Sequence, residues 1–157
     1  MNLKKKFGCL ILCALAFSGL AGCDLQTSRA LVFDVETGEK VKVKLDTTDH
    51  HSLSHEDNVF IVKKDDKVML QGVFLSQELF DSRLSNIAAS KEVTIIENKL
   101  NEDHGYLYYK VTSDNQTEYD RIFMIQDAKT GILMGSFQSQ KEAEAAFDKV
   151  QVTLDED

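Results

Sequence analysis

The densest chemistry in the chain lies in Asp49-His50-His51-Ser52-Leu53-Ser54-His55-Glu56-Asp57, which holds three of its four histidines. Neutral imidazole and carboxylate are ligands for zinc or copper. In a helix, His51 and His55 share a face at i, i+4, with His50, Asp49, Glu56 and Asp57 alongside. His104, beside Glu102 and Asp103, is a further ligand wherever the fold brings it near. The same residue types equally suit a polar connection between strands, and no Glu follows the first histidine as a zincin motif requires. The sequence favours the plainer outcome, in which His50, His51 and His55 are exposed and share no common centre. A second concentration is aromatic, because all four tyrosines fall between Tyr106 and Tyr119. Strand alternation puts Tyr106 and Tyr108 on one face and Leu107 and Tyr109 on the other. Such a face presents rings to a sugar or peptide, or serves only to cover a sheet.

Nucleophilic catalysis finds no support, since there is no Gly-x-Ser-x-Gly elbow and no Ser-x-x-Lys in a recognisable context. Phosphate-cradling glycine loops, dinucleotide fingerprints and EF-hand loops are also lacking. The expectation is a protein that is not an enzyme and has no cofactor, the zinc or copper reading of residues 49–57 being the alternative. A net charge of −8 disfavours nucleic acid as a partner.

At the N-terminus Lys4, Lys5 and Lys6 precede the apolar run from Phe7 to Phe17, in the order of a secretory signal. The run is short for a membrane span, which takes about 20 apolar residues. Leu20-Ala21-Gly22-Cys23 follows and resembles the lipobox of bacterial lipoproteins. The resemblance implies cleavage after residue 22, a diacylglyceryl thioether on Cys23, and a protein held on the extracytoplasmic face of the cell membrane by its lipid. Two or three acyl chains anchor stably without a spanning helix. Cys9 and Cys13 would leave with the signal and Cys23 would be consumed by the lipid, so no disulfide or thiolate chemistry is expected within one chain. The segment 1–22 carries three of the 18 basic residues and none of the 26 acidic ones, so the remaining 135 residues have a net charge of −11.

An offset of 63 aligns Leu70-Gln71-Gly72-Val73-Phe74-Leu75-Ser76-Gln77-Glu78 with Leu133-Met134-Gly135-Ser136-Phe137-Gln138-Ser139-Gln140-Lys141, matching five of nine positions. Each copy reads as strand, turn, strand, helix. The first has strands Asn58–Lys63 and Val68–Leu75, the second Tyr119–Gln126 and Ile132–Phe137. Ser76 precedes the apolar positions Leu79, Phe80, Leu84 and Ile87. Ser139 with Glu142 forms a capping-box pattern ahead of Ala143, Ala146, Phe147 and Val150. Extending the offset pairs Leu31–Val35 with Thr94–Asn98 and Val41–Leu45 with His104–Lys110.

The sequence therefore predicts a signal at 1–22, a lipidated tether at 23–29 and one α+β domain at 30–154. The domain is expected to be an antiparallel sheet with two helices, built from similar strand-rich units at 30–90 and 93–152, each ending in a helix. Phe74 and Phe137 are expected to be buried. This order of elements resembles the Mog1/PsbP-like group of small α/β sandwiches, a likeness that implies scaffolding or regulation more than catalysis. The functional expectation is a lipid-anchored, non-catalytic module that binds a protein, peptide or envelope component, with Tyr106 and Tyr108 on the binding face.

Overall fold

The computed structural model describes residues 27–155, so the expected signal and Cys23 lie outside the described residues. Ten strands and two helices run in the order β1 (Ser28–Asp34), β2 (Lys40–Asp46), β3 (His51–Glu56), β4 (Val59–Lys64), β5 (Lys67–Ser76), α1 (Gln77–Ala89), β6 (Val93–Asn98), β7 (Leu107–Ser113), β8 (Gln116–Met124), β9 (Thr130–Ser136), α2 (Gln140–Phe147) and β10 (Val150–Leu154). The fold class is α+β, with every strand pair antiparallel. One sheet has the order β1-β2-β10 and the other β3-β4-β5-β9-β8-β7-β6.

Local chemistry explains the hairpins. Asp65-Asp66 and Asp114-Asn115 both take positive φ between paired strands, the two-residue turn that matches strand twist, and Asp and Asn tolerate it better than other side chains. Strict alternation in Lys40-Val41-Lys42-Val43-Lys44-Leu45 makes β2 the centre of the small sheet, with its two valines and leucine wholly buried. Those side chains meet Leu53, Phe60, Val62, Leu70, Ile132 and Met134 of the large sheet. Helix α2 joins this front layer through Ala143, Ala146 and Phe147. On the back, Phe80 and Ile87 of α1 pack on Leu107, Tyr109 and Ile122.

Several expectations require correction. The histidine stretch is a strand, not a connection: alternation about Leu53, buried on the core side, lets it pair with β4. Ser28 and Arg29 belong to β1 rather than to a tether. Val150 opens an edge strand instead of extending the helix, because α2 stops at Phe147 and β10 pairs with β2. His104 sits in a turn, ahead of β7. Five strands precede α1, whereas four lie between α1 and α2 and a strand follows α2, so the two segments differ in make-up.

The aligned hairpins do share their caps. Ser76 Oγ accepts the Leu79 amide at 3.3 Å, and Ser139 with Glu142 forms a full capping box. Their faces differ. Gly72 stands opposite Met134, so Gly135, the next residue, points to the other side of the sheet. Phe74 therefore packs half-buried in the front core, 4.9 Å from the Phe33 ring, while Phe137 reaches the back and is 65% exposed. Leu79, expected in the α1 stripe, is also exposed.

Gly72 makes room for the fully buried Phe60 ring, which a Cβ at that position would overlap. Phe60 packs between the rings of Phe33, at 6.4 Å, and Phe74, at 5.9 Å. We expect Gly72→Ala to cost about 1–3 kcal/mol through overpacking, measured by urea denaturation.

Candidate functional site

In β3 the four-residue spacing of His51 and His55 spans about 13 Å along the strand, too far for one ion bound at about 2.0–2.1 Å. Each ring has a local role instead. His51 Nδ1 lies 2.8 Å from the Thr48 carbonyl, His55 Nδ1 lies 3.3 Å from that of Asp57, and His50 is exposed near Asp65. The His55 ring also meets Phe33 edge-on at 5.7 Å. His104 precedes β7, five strand spacings or about 24 Å from β3 across the sheet. Among the described residues, no group of three or more His, Cys, Asp or Glu is placed to hold a metal ion.

The tyrosines lead to a different place. Across the front of the large sheet, one row of cross-strand neighbours runs His55, Phe60, Gly72, Met134, Arg121, Tyr108. Tyr108 is buried and Tyr106 half-buried, both against the front core. Between them lies Arg121, whose guanidinium carbon is 4.5 Å from the Tyr106 ring centre, 5.1 Å from Phe147 and 5.9 Å from Tyr108. Neither the small sheet nor α2 fills the space above this part of β7 and β8, and a groove of about 840 Å³ remains. Its floor includes Tyr106, Arg121, Phe123 and Met134, Phe147 closes one side, and the whole of β10 forms the other wall.

Hydrogen bonding holds this floor. The Tyr106 hydroxyl donates to Glu97 at 2.5 Å, Lys99 pairs with Glu97 at 2.6 Å, and the Lys99 amide donates to the Tyr106 carbonyl at 2.8 Å. The Lys99 and Tyr106 hydrogen bonds hold the Glu97 carboxyl below its ordinary range, and the same bond to Glu97, with burial, pushes the Tyr106 hydroxyl up. Arg121 donates from Nη1 to Asp148 at 3.0 Å, while its buried Nε has no hydrogen-bond partner among the described residues. An arginine flanked by rings at a groove suits a carboxylate or another flat acceptor.

Next in sequence, Asp120 points to the back. The row there runs Ile61, Gln71, Gly135, Asp120, Tyr109. Gly135 leaves the space that a Cβ would contest, 2.6 Å from a Glu118 oxygen and 2.9 Å from an Asp120 oxygen. Both carboxylates border a cleft of about 510 Å³ with Arg83, Val73 and the exposed Phe137. Asp120 is 5% exposed. Burial first, then the neighbouring Glu118 charge, raise its carboxyl to about 7, against the Tyr109 hydrogen bond and Arg83. Burial also raises Glu118, opposed by Arg83. Sequence reasoning missed Asp120, Arg121 and Gly135. The available signal was two adjacent charges, Asp120-Arg121, inside a strand bounded by Ile122, Phe123 and Met124.

Two expectations follow from this geometry. Replacing His50, His51 and His55 together with alanine should change the melting temperature little and equally with or without zinc; a zinc-dependent rise that vanishes in the variant would show a metal site. For Asp120, the folded carboxyl binds its proton more tightly than the unfolded one, so its contribution to stability is complete below about pH 4. That contribution fades as pH rises through about 7. Asp120→Asn should therefore match the parent near pH 4 and exceed it at pH 8, by on the order of 2 kcal/mol in chemical denaturation. The chain matches no protein-family model, no curated protein and no solved structure.

Proposed function

We propose that this chain is an extracytoplasmic lipoprotein, held on the membrane through lipid on Cys23, whose folded domain is a non-catalytic binding module seated at the groove between β10 and the β7–β8 floor. The observation that carries the binding reading is Arg121, ringed by Tyr106, Tyr108 and Phe147 on the floor of an open groove. Aromatic side chains with one polar handle are typical contact residues at binding surfaces. A protein, peptide or envelope component with an acidic or planar polar group fits this chemistry.

Attachment to the membrane rests on the Leu20-Ala21-Gly22-Cys23 resemblance. Among the described residues, no helix is long and apolar enough to cross a membrane. Lipid at Cys23 would place the groove near the membrane surface, because β1 begins only five residues later.

Mass spectrometry of the N-terminal peptide from the host envelope should find Cys23 acylated and residues 1–22 absent, and Cys23→Ser should abolish the acylated species. For the groove, a photoreactive amino acid at Phe123 should give discrete adducts in intact cells, whereas the same group at Lys44, exposed on β2, should not. Arg121→Gln should weaken the Phe123 adducts. Equal labelling from both positions would refute the groove as the binding seat.

A further inference from the structure

We propose that the groove takes an extended peptide as a fourth strand on the open edge of β10, with an acidic side chain of that peptide on Arg121. This rests on the reading of the groove as the binding seat and names its ligand class. Strand β10 pairs with β2 along Val150–Leu154 and with no other strand among the described residues. Alternate backbone N–H and C=O groups of an antiparallel edge strand point away from its one partner and can pair with an added chain.

Three observations single out this edge. Residues from both faces of β10, Gln151 and Thr153 on one and Val150, Val152 and Leu154 on the other, line the same groove, which is the geometry of a cavity that meets the strand at its edge. Its sequence, Val150-Gln151-Val152-Thr153-Leu154, has no charge, and its register is unbroken. The other three sheet edges are guarded. Arg29 and Asp34 charge β1, Glu56 and two histidines occupy β3, and β6 carries Glu97 with a register shift between Ile95 and Glu97. Such charges and bulges are how sheet edges avoid unwanted pairing, so β10 is the edge left able to pair.

Charge selects the ligand further. Arg121 stands on the floor as a cation, and among the described residues its ion-pair partner is Asp148, which is 71% exposed and bonds Nη1 alone. A carboxylate on the added strand can pair with the Nη end of the guanidinium. Alternate apolar side chains of the same strand would rest on Phe123 and Tyr106, both half-buried in the groove lining. Main-chain bonds then supply affinity and the side-chain seats supply selection.

The test uses the full chain in detergent and fluorescein-labelled heptapeptides of alternating valine and threonine with a central glutamate, glutamine or lysine. The glutamate peptide should bind about tenfold more tightly than the glutamine one, and the lysine peptide more weakly still. Arg121→Gln should erase the difference between the glutamate and glutamine peptides. N-methylation of the glutamate peptide at one alternate set of amides should abolish binding, while the other set is tolerated, and hydrogen exchange should slow at alternate amides of β10. Binding that ignores N-methylation in both sets would refute strand addition yet leave the groove as a binding seat. No binding of any peptide to millimolar concentration, with Phe123 adducts persisting in cells, would refute the peptide class alone. Concentration-dependent dimerisation that slows the same β10 amides without peptide would assign the edge to a second copy and overturn the proposal.

Discussion

Where β5 lies against β9, Gly72 stands opposite Met134 and Gln71 opposite Gly135, and every other strand of the large sheet takes its facing from that register. A one-residue slip would exchange the two faces of half the sheet. Phe60 and Val62 would turn from the core to the back, and Ile61 would turn inward. The register is held by volume as well as by hydrogen bonds. Gly72 admits the Phe60 ring on one side, and Gly135 admits the Glu118 and Asp120 carboxylates on the other.

The two faces are then covered unequally. On the front, the small sheet brings Val41, Val43 and Leu45 against the strands at one end, and α2 closes the middle with Ala143, Ala146 and Phe147. The β7–β8 end stays open above Tyr106 and Arg121. On the back, α1 covers β7 and β8 through Phe80 and Ile87, and the β4–β5 end is open instead. Each concavity therefore lies where the layer on its own face stops. A cap at Ser76 and another at Ser139 launch the helices that set these limits, one to each face.

Asp120 and Arg121 show how one strand gives adjacent charges opposite surroundings. The guanidinium of Arg121 lies against the ring faces of Tyr106 and Phe147, which offer it negative potential. Asp120 has a carboxylate neighbour and one opposing arginine, so burial moves its proton affinity toward neutrality. The front is thereby furnished with a guanidinium among rings, and the back with a carboxyl whose charge depends on pH.

Much of the local structure was legible in the residues. The strand at Val41–Leu45 was expected, though not the separate small sheet it centres, the serines at 76 and 139 named both helix starts, and Tyr106 and Tyr108 were assigned to one face by strand alternation. These features depend on neighbours within a few positions, where periodicity and capping act. The likeness between the two hairpins was also visible, but the side of the sheet to which each belongs was not. Facing depends on the pairing of β5 with β9, and that register is set by how Phe60, Met134 and the helices fill the space between layers. The same holds for His51 and His55, which a helix would have brought together and a strand keeps apart. It holds equally for Arg121, whose aromatic surroundings come from β7, α2 and the turn before β7, segments that meet only when the sheet has closed its order.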